Sequence, residues 1–254
     1  MRFNICFTTA IIASVFGVSA LTAPQAKKIK DGLIEGHIIP DGNDRETNEH
    51  GHPEIEGLSL YILVLDDFEP TTYMKITYHD DRLLEMGDEV LPEEVVEAPH
   101  IWFKPPTPGA EYTLVMIDAD TQVPHVRHWI STNIDGGKPG SSLRDTTPLH
   151  QYTPYHGPTP PAGSGKHRYV FILLEQTEKN QAMRPALQDP NLHRAFFSVK
   201  DFIRDNNLRP VAAQYMVASH QDGYEGEYMT RHRSGSASAS AISSSIAAPV
   251  SSTA

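Results

Sequence analysis

Tyr112-Thr113-Leu114-Val115-Met116-Ile117-Asp118-Ala119-Asp120 is an apolar run of residues that ends abruptly in two carboxylates. Two similar runs follow it along the chain. The first is Val126-Arg127-His128-Trp129-Ile130-Ser131-Thr132-Asn133-Ile134, and the second is Lys166-His167-Arg168-Tyr169-Val170-Phe171-Ile172-Leu173-Leu174. Short apolar runs that are rich in β-branched and aromatic residues predict β-strands, and these three strands are expected to organise the fold.

Polar side chains mark one end of each of these strands. Asp118 ends its strand, whereas His128 and His167 begin theirs. Side chains i and i+2 of a strand share a face, so His128 is expected on the same face as Ile130. If both later strands run antiparallel to the first, the three polar side chains and Tyr169 meet at one edge of the sheet. The sequence therefore predicts a small polar pocket with apolar walls, which is typical of a ligand site.

Composition sets the fold class and excludes one class of partner. The chain has 254 residues, 20 of them proline and 17 glycine, and little helical periodicity, which favours one mainly β domain with long loops. The formal net charge is −11, and no basic patch offsets it. Proteins that bind nucleic acid need basic surface for the phosphates, so no nucleic-acid partner is predicted.

The first twenty residues have the features of a secretory signal peptide. Arg2 precedes a short apolar core, and Val18-Ser19-Ala20 supplies small residues before a cleavage point. The protein is therefore expected to be secreted after residues 1–20 are removed. Cys6, the only cysteine, lies in this segment, so the mature chain is expected to have no disulfide bond. No other segment approaches the roughly 20 apolar residues that span a bilayer.

Three further regions follow the signal peptide. Residues 21–54 are polar and contain turn-forming residues, which predicts an extended arm or an irregular cover, with a short apolar piece at residues 36–40 docked on the body. Residues 55–222 are expected to form the folded domain. Residues 223–254 are dominated by serine and alanine, which predicts a disordered tail.

Other secondary-structure elements are predicted around the three strands. Alternating or apolar patterns predict strands at residues 72–78, 99–103 and 211–218, whereas residues 58–65 fit a buried strand or a short helix. Ser198 precedes a predicted helix with Asp201 at its third position, a pattern that resembles a capping box. Phe197 and Phe202 have the spacing of a hydrophobic staple around the same helix start.

Several chemical motifs are weighed and set aside. Asp118-Ala119-Asp120 has the form of a D-x-D metal motif, but acidic pairs at strand ends are usually solvated turns. His125 and His128 have a metal-like H-x-x-H spacing, but positions i and i+3 of a strand point to opposite faces. Gly163-Ser164-Gly165-Lys166 lacks the first glycine and the final Ser/Thr of a phosphate-binding P-loop. No metal site and no cofactor is predicted.

The same motifs resemble those of the phosphatidylethanolamine-binding protein family, which includes Raf-kinase inhibitory, flowering-time and carboxypeptidase-inhibitor members. One family signature is similar to residues 112–120 followed by His128-Trp129-Ile130. The other is similar to Gly157-Pro158-Thr159-Pro160-Pro161-Ala162-Gly163-Ser164-Gly165-Lys166-His167-Arg168-Tyr169-Val170-Phe171. The resemblance covers about residues 55–222. Ala119 stands where the family usually has a proline.

The resemblance implies a fold and a site. The implied fold is mainly β, with a large central antiparallel sheet packed against a smaller sheet and a few peripheral helices. The implied site is a pocket for phosphate-like anions or phospholipid head groups. By motif position, its lining residues are Asp118, Asp120, His128, Pro161, His167 and Tyr169.

These observations lead to one leading hypothesis and two rivals. The leading hypothesis is a secreted, regulatory, non-enzymatic protein that binds a phosphate-like anion or a phospholipid head group. The first rival is an inhibitor of a serine carboxypeptidase or another peptidase that acts through its surface or its N-terminal arm. The second is a hydrolase that uses the Asp/His cluster, which is disfavoured because no nucleophile is evident.

Overall fold

A computed structural model of the protein describes residues 21–41, 63–121, 125–136, 141–143, 151–184 and 194–224. The expected signal peptide at residues 1–20 and nearly all of the expected tail at residues 223–254 lie outside these ranges. Most of the apolar run at residues 58–65 lies outside them as well. Within the described part of the chain, none of the helices has the length and apolar character needed to cross a membrane.

The described residues form two α-helices and eight β-strands. The helices are α1 (Ala23–Glu35) and α2 (Val199–Asp205). The strands are β1 (Met74–Thr77), β2 (His100–Phe103), β3 (Glu111–Asp118), β4 (Val126–Asp135), β5 (Ser141–Leu143), β6 (Gln151–Thr153), β7 (Lys166–Glu175) and β8 (Arg209–Ser219). Short 3₁₀ turns at His79–Asp81 and Pro92–Val95 lie between β1 and β2.

The strands form two antiparallel sheets. The larger sheet has five strands in the order β6-β4-β3-β7-β8, and the smaller sheet has three in the order β1-β2-β5. The three strands that were expected to organise the fold are β3, β4 and β7, and they lie side by side at the centre of the larger sheet. The prediction of a mainly β fold with a large sheet, a smaller sheet and peripheral helices is confirmed.

Each face of the larger sheet is covered by a different apolar layer. On one face, the smaller sheet contributes Phe103 to a core that includes Tyr112, Trp129 and Phe171. On the other face, the N-terminal segment and α2 cover the sheet. Their buried apolar side chains, together with those of the sheet, are Leu33, Ile38, Ile39, Leu65, Val115, Ile130, Val170, Ile172 and Phe202, among others.

The N-terminal region differs from the expectation of an extended or irregular segment. Residues 23–35 form α1, whose start is stabilised by the Gln25 side chain, which accepts a hydrogen bond of 2.9 Å from the Thr22 backbone N–H. Leu33 is the one buried residue of this helix, so its sequence shows little apolar periodicity. The apolar piece that follows does dock on the body, since Ile38 and Ile39 are buried in the second core.

The start of α2 agrees with the sequence. The Ser198 hydroxyl accepts a hydrogen bond of 3.2 Å from the Asp201 backbone N–H, which satisfies one of the free donors of the first turn. The Phe197 and Phe202 rings lie 5.4 Å apart, as expected for a hydrophobic staple.

A β-bulge changes the face on which His128 lies. Met116 pairs with Trp129 and the next residue, Ile117, pairs with Arg127, so His128 is an extra residue in its strand. Trp129 consequently packs in the same core as Met116, whereas Ile130 packs in the opposite core. The prediction that His128 shares a face with Ile130 is wrong, because a bulge interrupts the strict alternation of side chains.

Candidate functional site

The three polar strand ends meet at one edge of the larger sheet. β3 runs antiparallel to both β4 and β7, and Asp118 lies opposite Val126 on one side and Tyr169 on the other. The side chains of Asp118, His128, His167 and Tyr169 are all buried. The convergence inferred from the direction of the strands is therefore present in the structure.

Asp118 and His167 form the centre of the cluster. The His167 Nδ1 atom lies 2.8 Å from the Asp118 carboxylate, and only 2% of His167 is exposed. Burial opposes protonation of His167, but its hydrogen bond to Asp118 and the charges of Asp118 and Asp120 outweigh this and raise its pKa above the ordinary value. The Nε2 atom of the same ring is buried and has no hydrogen-bond partner among the described residues.

His128 is held by the loop after β6. Its Nδ1 atom lies 2.8 Å from the carbonyl oxygen of His156, which makes Nδ1 the donor. Burial lowers the pKa of His128, and the nearby charge of Asp118 offsets only part of this effect. The imidazole packs edge-on against the Tyr169 ring, with ring centroids 5.1 Å apart. The His128 ring therefore favours its neutral form, whereas the His167 ring favours the protonated form.

Tyr169 contributes a buried phenol. Burial and the charge of Asp118 raise its pKa, so the hydroxyl keeps its proton at neutral pH. The hydroxyl lies near the Asp118 carboxylate and the Thr159 backbone N–H but forms a hydrogen bond of normal geometry to neither. It is therefore a donor that remains available beside His167.

Asp120 is committed to Arg168. Its carboxylate accepts hydrogen bonds from the Arg168 backbone N–H, Nε and Nη2 at 2.7, 2.8 and 2.6 Å. Burial opposes ionisation of Asp120, but the hydrogen bonds and charge of Arg168 hold its pKa below the usual range. The Asp120 backbone N–H also donates to the Asp118 carboxylate at 3.0 Å. The Asp120 carboxylate is thus occupied by Arg168, and the Asp120 backbone N–H stabilises the Asp118 carboxylate.

Pro161, the sixth residue that the resemblance places at the site, is exposed, whereas the preceding Pro160 is buried. The adjacent turn contains Gly163 and Gly165, which both have positive φ angles, of 76° and 85°. Residues that carry a side chain rarely adopt a positive φ angle, so glycine suits both positions.

Two arginines near the site were not predicted from the sequence. The Arg168 guanidinium, besides binding Asp120, donates at 3.0 Å to the carbonyl oxygens of Gly36 and His37, just beyond α1. The Arg194 guanidinium donates at 3.0 Å to the carbonyl oxygens of His128 and Pro154. Arg168 follows the motif histidine directly, but no local pattern marks Arg194, because it acts through backbone atoms distant in sequence.

His156 is a third member of the site that the sequence did not predict. Its ring lies 5.6 Å from that of His128, and its Nδ1 atom lies 2.8 Å from the Gly157 carbonyl oxygen. Burial, with a smaller effect of His128, lowers the pKa of His156 to about 4. Among the described residues, no group of three or more His, Cys, Asp or Glu side chains is arranged to hold a metal ion.

Comparison with known proteins agrees with this fold and with the motifs. The family model of the phosphatidylethanolamine-binding proteins matches residues 65–219. The chain belongs to the phosphatidylethanolamine-binding protein family.

Relatives are found in plants. The protein CENTRORADIALIS of Antirrhinum majus is 31% identical over 200 residues, which cover 75% of this chain and 92% of that protein. The protein FLOWERING LOCUS T of Arabidopsis thaliana is also 31% identical, over 170 residues that cover 64% of this chain and 89% of that protein.

Solved structures show the same fold at lower identity. A phosphatidylethanolamine-binding protein from Plasmodium vivax superposes with a TM-score of 0.54 at 21% identity, covering 77% of this chain and 97% of that one. A carboxypeptidase Y inhibitor, solved in complex with its cognate proteinase, superposes with a TM-score of 0.51 at 23% identity. It covers 61% of this chain and 86% of that one.

Proposed function

We propose that this member of the family is a secreted, non-catalytic regulatory protein whose Asp118–His167 cluster binds a phosphate-type anion, either free or as a phospholipid head group. The observation that carries the proposal is the buried His167 Nε2 atom, which has no partner among the described residues. Its opposite nitrogen is fixed by Asp118 at 2.8 Å, so the ring is already oriented. A buried polar atom without a partner is costly, and a ligand oxygen would satisfy it.

The charges of the cluster are suited to binding an anion with modest affinity. Asp118 favours the protonated His167, whose Nε2–H then becomes a charge-assisted donor. The neutral Tyr169 phenol supplies a second donor. The Asp118 carboxylate cancels the charge of the imidazolium, so the anion is held by directed N–H and O–H donors more than by net charge.

Access to this donor requires a local movement. His167 Nε2 is enclosed by protein atoms, so a ligand has to displace a neighbouring side chain or loop to reach it. The turn at residues 161–166, immediately before His167, is exposed along its whole length. We therefore assign to this turn the movement that admits the ligand.

The residue types of the cluster support binding rather than catalysis. The side chains at its centre are two imidazoles, a phenol and a carboxylate, with no serine or cysteine among them. Asp118 is hydrogen-bonded to His167 and the Tyr169 phenol keeps its proton at neutral pH, so neither is an activated nucleophile. Turnover of a phosphoester by the pure protein, abolished by His167→Ala, would overturn this part of the proposal.

Calorimetric titration with inorganic phosphate and with phosphoethanolamine tests the site. The parent protein is expected to bind both, and His167→Ala and His128→Ala are expected to weaken binding at least tenfold, since each removes a donor or its support. His79→Ala is the matched control, because His79 is exposed and pairs with Glu97 away from the cluster. Unchanged binding by folded His167→Ala would show that the anion lies elsewhere.

The secreted state and the lipid source of the anion have separate tests. N-terminal sequencing of protein collected from the culture medium is expected to begin at Leu21, and recovery only inside cells would contradict secretion. Vesicles that contain phosphatidylethanolamine are expected to compete with inorganic phosphate. Phosphate binding without this competition would favour a free anion as the ligand.

Inhibition of a peptidase is the alternative function, and the similarity to the fold of the carboxypeptidase Y inhibitor favours it. Deleting the N-terminal region would not test it, because Leu33, Ile38 and Ile39 are part of the core. Charge reversal of the exposed Lys27 and Lys28 leaves that core intact. Loss of carboxypeptidase Y inhibition in this variant, with anion binding retained, would support the alternative.

A further inference from the structure

A concave surface, which we call the Trp102 cleft, lies away from the Asp118–His167 cluster. Its volume is about 630 Å³, within the usual range of small-molecule sites. It lies between the start of α1, the outer face of the smaller sheet and the start of β8. The lining residues that bear on its chemistry are Thr71, Thr72, Tyr73, Trp102, Lys104 and Arg209.

The cleft is at the opposite end of the larger sheet from the anion cluster. Arg209 of the cleft pairs with Glu175 at the end of β7, whereas His167 lies at the start of that strand. Eight residues at about 3.3 Å each separate Glu175 from His167, or roughly 25 Å. The two sites are therefore independent.

The charge of the cleft is opposite to that of the protein. The chain as a whole carries a net charge of −11, yet the residues that line the cleft include Lys104 and Arg209 and no acidic residue. Glu175 occupies one side of the Arg209 guanidinium, with Nη2 at 2.8 Å from the carboxylate. Within the described ranges, the Lys104 amine has no carboxylate within ion-pair distance. A cation with this environment attracts an anionic group.

An aromatic surface lies beside that cation. The Tyr73 and Trp102 rings contact each other with centroids 5.7 Å apart, and Tyr73 is 43% exposed. Trp102 and Lys104 are two residues apart at the end of an extended strand, so their side chains point the same way. Pro105 and Pro106 continue the apolar wall. A flat ring placed here gains stacking contacts close to the positive charge.

The cleft wall also has an unused hydroxyl. Thr71 Oγ1 is buried without a hydrogen-bond partner among the described residues. The neighbouring Thr72 hydroxyl, in contrast, donates to the Lys104 carbonyl oxygen at 2.7 Å and thereby fixes the Lys104 backbone. The Thr71 hydroxyl is thus a third polar group that a ligand could satisfy.

We propose that the Trp102 cleft is a binding site for a small aromatic acid. The ring of the ligand packs on Tyr73 and Trp102, and its carboxylate pairs with Lys104, with Arg209 close by. This assignment concerns a different surface from the anion cluster and stands whether or not that cluster binds phosphate.

N-acetyl-L-phenylalanine is a suitable probe, and the indole N–H resonances in a ¹⁵N NMR spectrum are a suitable readout. The chain has only two tryptophans, and Trp129 is fully buried, so it is an internal control. The Trp102 signal is expected to shift on titration and the Trp129 signal to stay. The same shift is expected in the His167→Ala variant, which separates this cleft from the anion cluster.

Two changes dissect the charge. N-acetyl-L-phenylalanine amide keeps the ring and loses the carboxylate, and Lys104→Gln keeps the cleft and loses its unpaired cation; each is expected to weaken binding about tenfold. Lys179→Gln is the control, because exposed Lys179 lines no part of the cleft. Equal affinity for acid and amide, an unaffected Lys104→Gln variant, or a shift of Trp129 without Trp102 would overturn the proposal.

Discussion

Asp120 and Arg168 form a half-buried ion pair in which the guanidinium donates through two of its nitrogens, at 2.6 and 2.8 Å. The same guanidinium donates to the carbonyl oxygens of Gly36 and His37, so one side chain joins the end of β3 to the residues that follow α1. Asp118, two residues before Asp120, and His167, one residue before Arg168, form the centre of the candidate site. The ion pair therefore lies within two residues of the site, at the end of β3 and the start of β7.

Replacing Arg168 by methionine is expected to lower the free energy of unfolding by about 2–3 kcal/mol, because it removes the guanidinium donor from the Asp120 carboxylate and from two carbonyl oxygens. Urea denaturation measures this loss. Arg204→Met is the control, since Arg204 is exposed on α2 and pairs with Asp201 and Asp205 of the same helix, and it should leave the midpoint unchanged. Equal midpoints for both variants would contradict a structural role for Arg168.

The same substitution is expected to loosen α1 before the rest of the molecule unfolds. Lys27, Lys28 and Lys30 lie on this helix, so limited trypsin digestion should cleave the Arg168→Met variant there faster than the parent. Unchanged cleavage rates at these lysines would show that Arg168 does not hold the helix in place.

The close approach of Gly36 to Tyr215 gives a further prediction. A Cβ atom at Gly36 would lie 2.4 Å from the Tyr215 ring, although the φ angle of −77° suits any residue. Gly36→Ala is therefore expected to destabilise the fold by about 1–3 kcal/mol through overpacking and not through backbone strain. Thermal or urea denaturation checks the size of the effect.

A second substitution identifies the cause of that effect. Tyr215→Leu removes the ring atoms that the new methyl group would meet. The double variant Gly36→Ala/Tyr215→Leu should therefore be more stable than the sum of the two single changes predicts. Strict additivity would mean that the ring is not what excludes a side chain at Gly36.

The sequence was sufficient to predict the three central strands and the meeting of their polar ends. Antiparallel pairing of β3 with β4 and β7 brings Asp118 to His167 and Tyr169, as strand direction alone requires. The face of His128 was not predictable in the same way. A bulge depends on pairing between strands, and alternation within one strand cannot show it.

The support of the site was harder to predict than its centre. α1 buries only Leu33, so helical periodicity is nearly absent, and the Asp31-Gly32 pair has the composition of a turn. Arg194 stabilises His128 through its backbone carbonyl, which any residue type would offer. Contacts of this kind depend on tertiary structure and leave no motif in the sequence.

His156 offers a direct check on the electrostatics of the site. Burial and the adjacent His128 lower its pKa to about 4, so its ring should remain neutral throughout the range in which an ordinary histidine, with a pKa of about 6.5, becomes charged. NMR titration of the histidine ring protons measures this. A midpoint for His156 near 6.5 would show that its ring is solvated and not packed against the cluster.

His167 should make the stability of the protein depend on pH. Its pKa is raised in the folded state, because the hydrogen bond and charge of Asp118 outweigh burial. The resulting stabilisation is fully present below the unfolded pKa of about 6.5 and is lost as pH rises through the higher pKa of the folded state. The stability difference between the parent and His167→Gln should therefore be largest in mild acid and shrink at alkaline pH.

Urea denaturation at a series of pH values from mild acid to mild alkali measures that difference. His79→Gln, at an exposed imidazole remote from Asp118, serves as the matched substitution. Anion affinity should decline over the same window as His167 loses its proton, since the Nε2–H donor to the ligand is lost with it. A stability difference that grows with pH would mean that Asp118 does not hold the His167 ring as a cation.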